Sequence, residues 1–158
     1  MMVSYESLLD EAAQEGIEVY ERPLKGKLKG LYSNKVIFIN KDLKDRIEKA
    51  CILSEEMGHY HTSSGDILDQ KDIRNRKQEL RARQWGYEYL IPLDSFIKAH
   101  QAGVRTRYEL DEFLGITEEY LMASIERYHQ RYGLYVDLGD HFLHLDPLDI
   151  TYCFRAID

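Results

Sequence analysis

Ile52-Leu53-Ser54-Glu55-Glu56-Met57-Gly58-His59-Tyr60 is the stretch on which both the fold and the chemistry of this chain turn. Read as helix, it sets Glu55 and His59 four residues apart, so their side chains leave one face about one turn from each other. Two ligands for a metal ion can converge there. Glu56 stands where the H-E-x-x-H arrangement places a carboxylate able to take a proton from metal-bound water. The spacing also has a plainer explanation, because acidic pairs in helices usually form a solvated face.

A hydrolytic zinc site needs a third donor, commonly a carboxylate from a following helix. Glu79 opens the segment Glu79-Leu-Arg-Ala82-Arg-Gln-Trp85-Gly86-Tyr-Glu-Tyr-Leu90-Ile91-Pro92, in which positions 79, 82, 86 and 90 trace one helical stripe. Small residues at 82 and 86 let this helix approach another closely and carry Glu79 toward the Glu55–His59 face. A long helix from about Asp72 is expected to stop at Leu90, ahead of Pro92.

Working outward from this pair, residues 4–15 read as a helix capped by Ser4 and stopped at Gly16. Ile17–Tyr20 has strand character, and Gly30–Tyr32 with Val36–Ile39 reads as a hairpin around the polar turn Ser33-Asn34-Lys35. The 55–59 helix resumes near Leu43 and is broken by Ser63-Ser64-Gly65-Asp66. A further helix ends at Gly103, and residues 107–132 read as two helices separated by Gly115-Ile116-Thr117, with Thr117 as a cap. Leu134–Leu138, His141–Leu145 and Ile150–Phe154 are expected as short strands about the Gly139-Asp140 turn. The fold class is α+β: a zincin-like small sheet with a metal-binding helix pair, a helix-turn-helix-like segment, then a short C-terminal sheet. A division into residues 1–100 and 101–158 follows.

With those elements in order over residues 28–93, the chain resembles the ImmA/IrrE family of metallopeptidases. Their pattern is a hairpin, an H-E-x-x-H helix, then E-x-x-A-x-x-[FW]-[AG]-x-x-L-[LIM]-x-P. The resemblance implies ligand roles for His59 and Glu79 and the general-base role for Glu56. Glu55 stands where the family typically has its first ligand histidine, and phage-type members are similar in reading E-E-L-G-H. Two carboxylates and one histidine neutralise a metal more fully than two histidines and one carboxylate, so a bound water is less acidic. Zn²⁺ is the first expectation, with Mn²⁺ or Fe²⁺ favoured more than usual by the carboxylates. In this type of fold the strand Val36–Ile39 is where an extended substrate is expected to pair by its edge.

The resemblance implies a regulatory hydrolase of phage or mobile-element type that cleaves a partner protein, a helix-turn-helix repressor. The rival is a non-catalytic anti-repressor that captures the same partner, with a structural metal or none. Composition limits other classes. The net charge of −7 opposes broad attraction to nucleic acid. Arg105, Arg107, Arg127 and Arg131 are outnumbered across the helix-turn-helix-like segment by Glu109, Asp111, Glu112, Glu118, Glu119 and Glu126, so direct DNA binding is disfavoured. No apolar run approaches the roughly 20 residues of a membrane span. No secretory signal is visible either, which sets the expectation of a cytoplasmic protein. Cys51 and Cys153 lie far apart and read as reduced core residues. His61, two positions past His59, points elsewhere on the helix, and the basic run Lys71–Arg83 reads as a solvated face or a steering patch.

Overall fold

The computed structural model describes residues 3–62 and 73–152. Helix α1 (Tyr5–Gln14) begins at Ser4, whose hydroxyl accepts the Ser7 amide while the Ser7 side chain satisfies the Ser4 amide in return. It buries Tyr5, Leu8 and Ala12, and Gly16 turns the chain with a φ of 76° that favours glycine. Strands β1 (Glu18–Arg22), β2 (Gly30–Ser33) and β3 (Val36–Asn40) follow. Asn34 and Lys35, at φ 52° and 65°, form the two-residue primed turn that suits the right-handed twist of the β2–β3 hairpin.

The sheet order is β1-β3-β2, with β1 parallel and β2 antiparallel to β3. This corrects one expectation. Val36–Ile39 is the central strand, hydrogen-bonded on both sides, and has no free edge to offer a substrate. Its character fits that place, since Ile37 and Ile39 are fully buried. Of the two edge strands, β2 is the one that lies against α2. The Asn40 amide donates to the Lys29 carbonyl, and antiparallel alternation then turns the amides of Leu31 toward β3 and those of Gly30 and Tyr32 outward.

Helices α2 (Arg46–Thr62) and α3 (Ile73–Leu90) share the most extensive contact among the described elements. A Cβ on Gly58 would lie 2.1 Å from the Ala82 carbonyl oxygen, so the two backbones touch where small residues allow it. On the same seam, a Cβ on Gly86 would lie 3.2 Å from Ser54 Oγ of α2, with Tyr120 Oη at 2.8 Å from the other side. The small residues Ala82 and Gly86 therefore do bring α3 onto α2. Gly58, on the facing helix, is the tightest point of all.

Helix α4 (Leu93–Gln101) starts after Pro92, α5 (Arg107–Leu114) is capped by Thr106, and α6 (Glu118–Tyr132) is capped by Thr117. Gly115 takes a left-handed φ of 68° between α5 and α6. Strands β4 (Tyr135–Asp137), β5 (His141–Leu145) and β6 (Leu148–Tyr152) form a second antiparallel sheet in that order. The last strand begins two residues earlier than its apolar pattern implied, and Cys153 and Phe154 lie outside the described residues. One hydrophobic cluster joins Ile37 and Ile39 of β3, Leu53 and Met57 of α2, Leu121 and Tyr128 of α6 and Leu143 of β5. Tyr128 fastens the later helices to the earlier ones by donating to the Ile91 carbonyl at 2.7 Å. The overall class is α+β, as the patterning implied.

Candidate active site

A pocket opens between the edge of β2, the faces of α2 and α3, and the start of α6. α2 sends Glu55, Glu56 and His59 into it, and α3 sends Glu79, Arg83 and Tyr87. All four residues expected to carry the chemistry thus line one cavity. The His59 Nε2 and Glu79 Oε2 atoms are 3.1 Å apart, and His59 is buried, with the Tyr32 ring stacked at 6.3 Å between centroids. Burial alone lowers the imidazole's proton affinity, but the hydrogen bond and the charge of Glu79 outweigh it and raise the His59 pKa. The same bond holds the Glu79 carboxyl below its ordinary value.

Glu56 is buried beside this pair. It is 9% exposed, and removal from water pushes its carboxyl up to about 8. Strand β2 crosses directly over it at a residue without a side chain. A Cβ on Gly30 would meet Ile52 Cγ2 at 2.7 Å and Glu56 Oε1 at 2.9 Å. Glycine at 30 therefore lets the strand edge and the carboxyl approach one another.

Glu55 is engaged differently. The Arg83 Nε donates to Glu55 Oε1 at 3.0 Å and lies 3.7 Å from Glu79 Oε1. Among the described residues, no group of three or more His, Cys, Asp or Glu side chains is gathered as a metal ion would need. His59 and Glu79 meet, and Glu55 comes within hydrogen-bonding reach of Glu79 while also taking the Arg83 guanidinium. Carboxylate and imidazole donors suit a borderline or hard divalent cation, and a cationic group already sits between two of the carboxylates. The donor chemistry therefore fits a metal, with Arg83 as a competing cation.

Other residues weighed from the sequence fall outside this set. His61 stacks on Trp85 at 4.3 Å and meets Tyr60 edge-on, away from the His59–Glu79 contact. Cys51 is buried, and burial raises its thiol to about 11, which leaves it protonated. Tyr120 of α6, which the sequence did not single out, lines the same pocket and is buried within hydrogen-bond reach of Ser54 at 2.9 Å. Arg83 is the residue that sequence reasoning missed. It was counted within the basic run, although its place four residues after Glu79 already set the two on one helical face. Tyr32 and Gly30 were equally hidden, because only the folded hairpin carries them over α2.

A zincin-like α+β scaffold with a Glu-Glu-x-x-His helix facing a glutamate on the next helix defines a metallopeptidase-type class. A family model for the IrrE N-terminal-like domain of the Peptidase_M78 group matches residues 12–125, from within α1 into α6. The chain belongs to that family. No curated protein and no solved structure matches it. Among the described residues, no helix is long and apolar enough to cross a membrane.

Proposed function

We propose that this protein is a metal-dependent peptidase whose substrate is another protein, with Glu55, His59 and Glu79 as the metal ligands and Glu56 as the proton carrier. The observation that supports it most is the meeting of His59 and Glu79 at 3.1 Å beside a buried Glu56, in a pocket bordered by the edge of β2 at Gly30 and Tyr32. A bound Zn²⁺, or Mn²⁺ or Fe²⁺, would supply Lewis acidity and a water of lowered pKa. The protein's own groups do the rest. An extended peptide pairs with the outward amides of Gly30 and Tyr32, which aligns its backbone across the pocket. Glu56 stands beneath that backbone. Its carboxyl, raised to about 8, changes protonation state near neutral pH, which suits it to take a proton from water and return it to the leaving nitrogen. Tyr32, stacked on His59, holds the plane of the imidazole, and a metal held by His59 and Glu79 would replace the hydrogen bond between them.

The partner inferred is a helix-turn-helix repressor of a phage or mobile element, cleaved so that the genes it silences are released. A second reading draws on the Arg83–Glu55 ion pair, which neutralises a ligand position without a metal. The same groove then captures the repressor without cutting it. Incubating the repressor encoded beside this protein with wild type and Glu56→Gln, with and without chelator, separates the two. Fragments from wild type alone, lost on chelation, support the peptidase. Repressor inactivation that survives Glu56→Gln, with no fragments, establishes capture.

A further inference from the structure

We propose that Arg83 is a built-in counter-ion that competes with the metal, so that the cation gains its third ligand only when Arg83 releases Glu55. The inference rests on the metal-site reading above. It starts from the pairing of side chains across two helices. Glu79 gives one oxygen to His59 Nε2 at 3.1 Å and turns the other toward Arg83 Nε at 3.7 Å. The same Nε holds Glu55 Oε1 at 3.0 Å. One guanidinium thus spans the two carboxylates that a divalent ion would have to gather, and the charges along the row alternate.

The choice of arginine matters. A histidine in this place could lose its proton near neutral pH and step aside, but a guanidinium stays charged throughout the accessible pH range. Release must come from movement of the side chain, and Arg83 can move, because it is half exposed at the mouth of the pocket. Two effects then oppose metal binding. Glu55 must break a charge-assisted hydrogen bond before it can coordinate. The arriving cation must also accept a neighbouring positive charge, a repulsion softened by solvent at this depth. Together they weaken metal affinity by on the order of tenfold or more.

The test is a titration of Zn²⁺ into chelator-stripped full-length protein, read by competition with a chromophoric chelator. Wild type, Arg83→Gln and Arg83→Lys are compared, with circular dichroism and thermal melting to verify the fold. The expected result is that Arg83→Gln binds about tenfold more tightly or better, that adding His59→Ala abolishes the gain, and that Arg83→Lys, which keeps the charge, stays near wild type. Should Arg83→Gln not fold, Arg83→Met, which keeps the apolar stem, takes its place. Affinity unchanged or weaker in the neutral variant overturns the counter-ion role and leaves the metal site standing. Absence of binding in wild type and neutral variant alike overturns both.

Discussion

Replacing Glu56 by glutamine should stabilise the metal-free protein, by an amount that grows with pH. The carboxyl is pushed up to about 8 from an ordinary 4.5 because burial disfavours its charged form. The sign follows directly. The unfolded chain ionises this group from about pH 4.5 upward, whereas the folded chain resists until about 8. The fold is therefore most stable below the lower value and loses stability as pH climbs toward the upper one. Each pH unit between the two costs up to about 1.4 kcal/mol. Between about pH 5 and pH 8 the wild type should lose roughly 3 kcal/mol through Glu56 alone. His59 adds to the decline, because a raised imidazole contributes stability that disappears as pH passes its folded value. Glu79 contributes almost nothing to the slope here, since its lowered carboxyl is ionised in the fold and, above about pH 5, largely ionised in the unfolded chain as well. Glutamine keeps the shape of glutamate without the charge, so Glu56→Gln should retain only the shallower His59 slope. Urea unfolding at several pH values, in chelator, measures the difference. Equal slopes for the two proteins, or a variant no more stable than wild type near pH 8, would refute the reasoning.

Three other substitutions probe the geometry around the site. Gly58→Ala drives a methyl to 2.1 Å from the backbone oxygen of Ala82, which cannot swing away; separation of α2 and α3 should cost several kcal/mol and lower the melting temperature sharply. Gly30→Ala meets only side-chain atoms of Ile52 and Glu56, so thermal stability should fall by about 1–2 kcal/mol while peptide cleavage drops by at least about tenfold as Glu56 is displaced. Tyr120→Phe removes the partner of Ser54, whose hydroxyl also donates to the Cys51 carbonyl at 2.7 Å, and should cost roughly 1 kcal/mol in chemical unfolding with metal affinity unchanged.

The fold was legible wherever local chemistry dictates structure. Ser4 and Thr117 cap their helices, Gly16 and Gly115 end theirs, and the polar residues 33–35 turn the hairpin. The pairing of α2 with α3 was legible as well, through Ala82 and Gly86. Sheet order was not. The apolar Val36-Ile37-Phe38-Ile39 is what a doubly paired strand requires, yet nothing in the intervening residues reveals that β1 crosses past β2 to lie beside β3. The last strand was displaced because alternation in Ile150–Phe154 continues that of Leu148, and only pairing with β5 fixes its start. At the site, helical spacing put Glu55, Glu56, His59 and Glu79 into one pocket. Spacing could not reveal that Glu55 faces Arg83, because that contact joins residues 28 apart on two helices.

Zinc titration of stripped wild-type protein beside His59→Ala and Glu79→Gln tests the central claim most directly, with calorimetry as the readout. Close to one equivalent is expected to bind to wild type, with binding lost in both variants because each removes one of the two donors that already meet. Binding that survives both substitutions would contradict a metallopeptidase site at these residues.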